Sequence, residues 1–224
     1  MLYNQNMNKM GKFALFLALF VGIASYSFGE VYFSFTTGLY RFIEQYPEEK
    51  YSRELDGLNI ILTVNYYPAD FPFGIYVQAS FGDLTSGYEF NENEMEAVDI
   101  NSIDNIQFSI GSSLKLPAGK KIRFPISIGP VVTFNREENY DDLSGKTTFY
   151  DAINLGALGD VSIIMNPSRW FFIKSGVSLV WDFIHVERGQ MKMNFRETSD
   201  FQYKRVSYSA YTPSIYMGIG IRFD

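Results

Sequence analysis

Residues 58–67 read LNIILTVNYY and residues 73–82 read FGIYVQASFG, and these two stretches decide the fold. Successive side chains of a strand point to opposite faces. One face of each stretch is therefore apolar, and the other is mostly small and polar. In the first stretch the two faces are Leu58, Ile60, Leu62, Val64 and Tyr66 against Asn59, Ile61, Thr63 and Asn65. With only residues 68–72 between them, the pair predicts a tight antiparallel hairpin.

The same alternation occurs eight times along the chain. The predicted strands cover about 31–41, 58–67, 73–82, 105–116, 122–134, 152–165, 170–183 and 208–223. The connections alternate between long (42–57, 83–104, 135–151, 184–207) and short (68–72, 117–121, 166–169). Outer-membrane barrels have long external loops and short periplasmic turns. The pattern predicts an all-β, eight-stranded antiparallel up-and-down transmembrane barrel, with both termini in the periplasm.

The composition of the polar face favours a membrane barrel over the alternative, a soluble lipocalin-like barrel. A soluble exterior is rich in Lys and Glu, whereas this face carries Gly, Ser, Thr, Asn, Gln and Tyr. Such residues suit the narrow interior of an eight-stranded barrel. The opposite face is almost free of charge for about ten residues per strand, which matches the apolar band of such barrels.

The N-terminus has the order of a secretory signal. Lys9 and Lys12 precede an apolar run at 13–23, which is too short for a comfortable transmembrane helix, and small residues follow it. We predict a signal peptide at 1–29, cleaved between about 25 and 30, and a barrel at 30–224. A retained N-terminal anchor is the alternative.

Composition excludes several functional classes. The chain has no Cys, so it forms no disulfide, thiolate metal site or lipid-modified N-terminal Cys. Its net charge of -6 argues against nucleic-acid binding. No phosphate-binding glycine loop or metal-ligand spacing occurs, and no cofactor is predicted.

The last strand carries a family resemblance. Residues 216–223 read YMGIGIRF, and together with the strand-loop rhythm they resemble the small eight-stranded outer-membrane proteins, the superfamily of the OmpA transmembrane domain, OmpX and OmpW. The resemblance implies a monomer in outer-membrane lipid, with lipid A or its equivalent as a partner. It also implies periplasmic chaperones and a barrel-assembly machinery that recognises Tyr216, Ile219, Ile221 and Phe223. Asp224 departs from the usual aromatic ending.

Six charged residues have the parity of the predicted interior: Lys115, Arg123, Asp160, Lys174, Asp182 and Arg222. One interpretation is a basic constriction with anion preference. The other is a paired polar plug, since buried charges need partners, with Arg123 and Arg222 in water at the mouth.

Two long connections carry opposite charge. Residues 83–104 offer oxygen ligands for a hard cation, although their spacing does not match an EF-hand: Asp83, Glu92, Glu94, Glu96 and Asp99. A solvated acidic loop is the alternative. Residues 184–207 are basic and aromatic, and could contact lipid-A phosphates or external ligands. Tyr66, Phe134, Trp170 and Trp181 are predicted to form two aromatic girdles.

The leading functional hypothesis is a non-enzymatic barrel with a structural, surface-interaction or adhesion role. A passive channel for small or hydrophobic solutes is the alternative that the OmpW-like resemblance implies. Pro130, in mid-strand, predicts a bulge or weakened pairing that could form a lateral gate. A remote alternative is a lipid-A-modifying hydrolase that uses His185, with Glu187 and Ser207 or Ser209 nearby.

Overall fold

A computed structural model describes residues 29–46, 51–69, 71–91, 94–119, 121–141, 146–193, 196–198, 203–204 and 209–223. Side chains are described in 29–45, 52–69, 71–90, 103–119, 121–137, 151–186 and 209–223. The predicted signal peptide lies outside these residues, apart from Gly29. In the described part of the chain, no helix is long and apolar enough to span a bilayer.

The described residues form ten strands. They are β1 (Gly29–Tyr46), β2 (Tyr51–Pro68), β3 (Phe73–Asn91), β4 (Glu94–Pro117), β5 (Ile122–Asp141), β6 (Lys146–Met165), β7 (Phe171–Met193), β8 (Arg196–Thr198), β9 (Tyr203–Lys204) and β10 (Ser209–Phe223). Each of β1 to β7 pairs antiparallel with the next, and β10 pairs with both β7 and β1. These eight long strands close a barrel, while β8 and β9 are short additions to β7. The predicted fold class is confirmed.

The two faces of the barrel wall are arranged opposite to those of a soluble protein. Leu39 is 63% exposed and Ile128 is 66% exposed on the outside, whereas Asn154 and Thr133 are completely buried inside. A ring of exposed aliphatic and aromatic side chains of this size is stable only against lipid. The small polar face therefore lines the interior, as the parity argument predicts.

The barrel has two distinct ends. The turn end contains both ends of the barrel chain near Gly29 and Phe223 and the short connections around 69–72, 118–121 and 166–170. At the hairpin end the strands continue well past the apolar band, so the prediction of long loops at 42–57, 83–104, 135–151 and 184–207 was largely wrong. Cross-strand ion pairs replace the apolar pattern there: Arg41 faces Asp56 and Arg136 faces Asp151.

Prolines interrupt the strand ladders without shifting them. Around Pro130, β4 pairs with β5 at Ser109–Val131 and again at Ser112–Ile128, with none of the intervening described residues paired. The same two-residue gap occurs at Pro125 on the β6 side and at Pro213 on the β1 side. Proline lacks the N–H that a ladder needs. The prediction of a bulge or weakened pairing near Pro130 is confirmed as weakened pairing, because the register does not shift there.

Register shifts occur elsewhere. Thr85 is an extra residue in β3, because Gly57 pairs with Leu84 while Asp56 pairs with Ser86. Phe183 is an extra residue in β7, because Gly156 pairs with Asp182 while Leu155 pairs with Ile184. Each bulge reverses the parity of the residues that follow it.

Candidate functional site: the barrel interior

Three layers of large side chains fill the interior, and every member is at most 3% exposed. The turn layer is Tyr32, Tyr67, Ile164 and Phe172. The middle layer is Tyr76, Val131, Leu158 and Val180. The hairpin layer is Tyr40, Phe42, Leu55, Leu84, Ile103 and Ala210. Sequence alternation does not reveal most of these residues, because each lies at the polar parity of its strand. Runs of consecutive apolar residues, such as Phe171–Phe172 and Val131–Val132, were their visible signal.

An ion-pair cluster covers the turn layer. Lys115 Nζ donates to Glu30 Oε2 at 2.6 Å, and the Tyr32 hydroxyl donates to the same oxygen at 2.7 Å. Arg222 lies 3.5 Å from the other carboxylate oxygen. The Lys115 ammonium also sits 4.7 Å from the centre of the Tyr67 ring, within cation–π range. Two predicted interior charges, Lys115 and Arg222, therefore meet on one carboxylate.

Glu30 is the second residue of β1 and lies beyond the apolar band. Its burial disfavours the ionised form, but the hydrogen bonds from Lys115 and Tyr32 and the charges of Lys115 and Arg222 outweigh that cost. The pKa of Glu30 consequently lies below its ordinary value. Glu30 was not among the sequence-predicted residues, since the first strand was expected to begin at residue 31.

A second charged group lies in the middle of the barrel. Asp160 accepts a short hydrogen bond from the Tyr216 hydroxyl, and Lys174 Nζ lies 5.2 Å from the centre of the Tyr216 ring. All three side chains are buried. Beside them, the Tyr76 hydroxyl is 2.7 Å from that of Ser109, which bonds the Pro130 carbonyl at 2.8 Å. The predicted interior charges Asp160 and Lys174 thus lie buried inside the barrel, beside the middle layer.

Asp182 and His185 occupy the interior nearer the hairpin end. Thr133 Oγ1 donates to Asp182 Oδ1 at 3.3 Å, and His185 Nδ1 is 2.7 Å from Asn154 Oδ1. The bulge at Phe183 turns His185 inward, where it is buried. Ser209 lies elsewhere, on the outer side, where it accepts a hydrogen bond from Trp181 Nε1 at 3.3 Å. The side chains of Glu187 and Ser207 are outside the described residues.

Arg123 and Asp83, the first residue of the acidic segment 83–104, do not point into the barrel interior. Arg123 bends to the turn, where its Nη1 donates to the carbonyls of Gly119 and Ile122 at 2.5 and 3.0 Å. Asp83 is exposed on the outer face, opposite Asp104 in the ladder. Glu92 and the side chains of Glu94, Glu96 and Asp99 lie outside the described part. Among the described residues, no group of three or more His, Cys, Asp or Glu could hold a metal.

The predicted girdle and insertion residues have the following positions. Phe134, Trp170 and Trp181 are exposed on the outer face, and Tyr66 is half-buried there. Ile219 and Ile221 also face outward, while Tyr216 points inside. Phe223 pairs with Val31 and packs against it at the seam where the barrel closes.

Sequence comparisons find no match for this chain, whereas comparisons with solved structures agree with the barrel geometry. No protein-family model matches the chain, and no curated protein does.

Among solved structures, the outer membrane protein OprG from Pseudomonas aeruginosa matches with a TM-score of 0.56 at 13% identity, over 88% of this chain and 97% of that one. A major outer membrane protein from Thermus thermophilus matches with a TM-score of 0.58 at 11% identity, over 85% of this chain and 99% of that one. The chain folds as an eight-stranded outer-membrane β-barrel. The attachment invasion locus protein Ail of Yersinia pestis is similar at a TM-score of 0.40 and 14% identity, over 88% of the barrel chain and 99% of its own. The predicted resemblance to small eight-stranded outer-membrane proteins is confirmed.

Proposed function

We propose that this protein is a plugged outer-membrane barrel that serves envelope structure or surface interaction through its hairpin end. The observation that carries the proposal is the three-layered packing of the interior. A solute on the barrel axis would have to displace the rings of Tyr32, Tyr76 and Phe42 in turn. It would also have to part Lys115 from Glu30, and a hydrogen bond to a charged group contributes about 1.5–3 kcal/mol.

The interior charges do not favour an anion path. Lys115 is ion-paired with Glu30, and Lys174 lies buried within the electrostatic reach of Asp160. Selectivity filters need charged groups that face a water-filled passage. The paired plug is therefore the better interpretation of these charges.

The hairpin end supplies a braced, charged surface for external contacts. Arg41 binds Asp56 through two hydrogen bonds of 2.7 and 2.9 Å, which raises the pKa of Arg41 above its ordinary value. Inside the mouth, Arg53 joins Glu44 at 2.7 Å and Glu137 at 2.9 Å, linking β1, β2 and β5. Bidentate and networked ion pairs of this kind hold adjacent strands in a fixed geometry. These contacts support a rigid platform for surface interaction.

Planar-bilayer recording tests the plug. We expect purified wild-type barrel to give no stepwise conductance, because an ion on the barrel axis would have to pass all three packed layers. A variant with Phe42, Tyr76 and Phe172 changed to Ala, one ring removed per layer, is expected to conduct. Its matched control removes three lipid-facing rings instead, Phe35, Phe108 and Phe183, and is expected to stay silent. Stable steps from the wild-type protein would refute the plug, whether or not the interior variant folds.

We propose further that the barrel acts without catalysis. His185 is buried and bonded to Asn154, away from the lipid-facing Ser209. We expect cells that carry His185→Ala to have the same lipid-A acyl pattern by mass spectrometry as cells with wild-type barrel. A change in that pattern that depends on His185 would contradict the proposal.

A further inference from the structure

We propose that the turn end binds the phosphate groups of anionic phospholipids in the leaflet that surrounds it. The site is a patch on two neighbouring turns, formed by Lys121, Arg123, Arg169 and Trp170 and called the turn patch below. Lys121 and Arg123 lie at the β4–β5 turn, and Arg169 and Trp170 lie at the β6–β7 turn.

Backbone hydrogen bonds hold the two turns side by side. The N–H of Asn166 donates to the Lys121 carbonyl at 2.8 Å, and its side-chain amide donates to the same oxygen at 3.3 Å. Asn166 is itself buried. The backbones of the two turns, which carry these cations, are therefore held together before any lipid arrives, which lowers the entropic cost of binding.

The β4–β5 turn has its own internal order. Gly119 has a φ of 109°, in the left-handed region that favours glycine. Its carbonyl accepts the hydrogen bond from Arg123 Nη1 at 2.5 Å. This contact keeps the Arg123 guanidinium at the mouth instead of inside the barrel, so its charge adds to that of Lys121.

Trp170 sets the depth of the patch in the membrane. Its ring is exposed at the β6–β7 turn, and the Arg169 guanidinium lies 5.2 Å from its centre. The Trp170 carbonyl accepts the N–H of Arg222 at 2.9 Å, which ties the turn to β10. Exposed Ile122 and Phe171 continue the apolar surface next to it. Tryptophan at the edge of an apolar band sits at the headgroup level, so the neighbouring cations lie at the level of lipid phosphates.

Charge complementarity identifies the lipid class. The described side chains of the turn end include five basic residues (Lys115, Lys121, Arg123, Arg169 and Arg222) and one carboxylate, Glu30. Glu30 is engaged by Lys115 and Arg222. The two turns of the patch, 118–121 (AGKK) and 166–170 (NPSRW), contain no acidic residue, whereas the sequence of the third short connection, 69–72 (ADFP), contains Asp70. A cationic surface beside an interfacial tryptophan suits an anionic headgroup, and each Lys or Arg near such a surface strengthens binding appreciably.

Tryptophan quenching by brominated lipids tests this inference. The chain has two tryptophans, so Trp181→Phe leaves Trp170 as the reporter at the turn end. The protein is folded into phosphatidylcholine vesicles that contain an equal fraction of either brominated phosphatidylglycerol or brominated phosphatidylcholine. We expect phosphatidylglycerol to be favoured at Trp170 by about fivefold, the effect of one basic side chain at a lipid surface. Adding Lys121→Gln and Arg169→Gln should reduce that preference to parity, as should high salt.

Two controls make the result specific. Trp170→Phe moves the reporter to Trp181, near the other end, where we expect no preference for phosphatidylglycerol. Arg41→Gln with Arg136→Gln removes the same charge from the hairpin end and should leave the preference at Trp170 unchanged. Equal quenching by the two lipids at Trp170 would overturn the inference, as would an equal preference at both tryptophans or a preference that survives the turn-patch substitutions.

Discussion

The ion-pair cluster at Glu30 shows which single residues of the interior can be predicted from the sequence and which cannot. The parity of Lys115 and Arg222 predicted two cations in the interior, and the structure places them together. Their partner was not predicted, because Glu30 directly precedes the first strand as read from the alternation and sits at the expected signal-peptide boundary. A carboxylate 85 residues before Lys115 in sequence can be paired with it only once the barrel is closed.

The ion pair at Glu30 predicts a pH-dependent stability. The pKa of Glu30 is lowered in the folded barrel, so its contribution is fully present above its ordinary value of 4.5 and is lost as pH falls below it. We expect Glu30→Gln to lower the unfolding free energy at pH 7 by about 1.5–3 kcal/mol, the range for hydrogen bonds to charged groups. The difference from wild type should shrink towards pH 3, measured by urea unfolding in lipid vesicles.

The matched control for that experiment is Glu54→Gln at the exposed hairpin end, where Arg41 lies 3.5 Å away. Exposed pairs contribute little, so this variant should remain close to wild type at both pH values. A penalty for Glu30→Gln that stays constant from pH 7 to pH 3 would show that packing, not ionisation, links Glu30 to stability.

At the scale of the strand, alternation predicts structure only where lipid selects one face. The eight apolar stretches were found because lipid requires an apolar outer face on each. Beyond the band the outer face meets water and carries pairs such as Arg41–Asp56, while the inner face stays packed, as at Phe42 and Leu55, so the apolar outer face ends there. The alternation consequently predicts loop where β1 extends to Tyr46 and where β4 extends back to Glu94.

The proline gaps allow a test of lateral opening. Although β4 and β5 are unpaired beside Pro130, their backbones are in close contact: a Cβ on Gly111 would lie 2.7 Å from the Gly129 Cα. We therefore expect Pro130→Val to leave the uptake of a hydrophobic solute into proteoliposomes unchanged. Pro213→Val, at the equivalent gap between β10 and β1, is the matched control. Slower uptake with Pro130→Val alone would establish a gate at this position.

At the scale of the whole molecule, the chain ends and short turns lie together and the extended hairpins lie at the opposite end. We propose that the hairpin end faces outward and the turn end faces the periplasm, as in barrels with long external connections. The absence of cysteine from the chain makes this directly testable. Ser86→Cys at the hairpin end is expected to react with a membrane-impermeant maleimide on intact cells, and Ala118→Cys at the turn end only after lysis. The opposite labelling would reverse the proposed orientation.

Closure and strand number could be predicted from the sequence, whereas the plug could not. Membrane insertion constrains the outer face of every strand in the same way, so its signal repeats. The inner face has no such repeat. Polar side chains and large apolar ones such as Leu158 and Phe172 share the same parity, and only packing across the barrel decides which kind of side chain occupies a given position. The three layers are formed by residues from different strands, and no local pattern records that assembly.

The additional residue in β7, Phe183, inverts the alternation of the two faces along that strand. Upstream of Phe183 the odd positions face lipid, and beyond it the assignment is reversed, which is why His185 is inside and Val186 is outside. Removing Phe183 would delete the extra residue itself and restore regular alternation, with Leu155 still opposite Ile184 and Asn154 still opposite His185. His185 would stay inside, so we expect a one-codon deletion there to be tolerated far better than a deletion of Ile219 in β10. The ladders of β10 with β1 and β7 contain no extra residue, so the side chains on one side of that deletion would all change face.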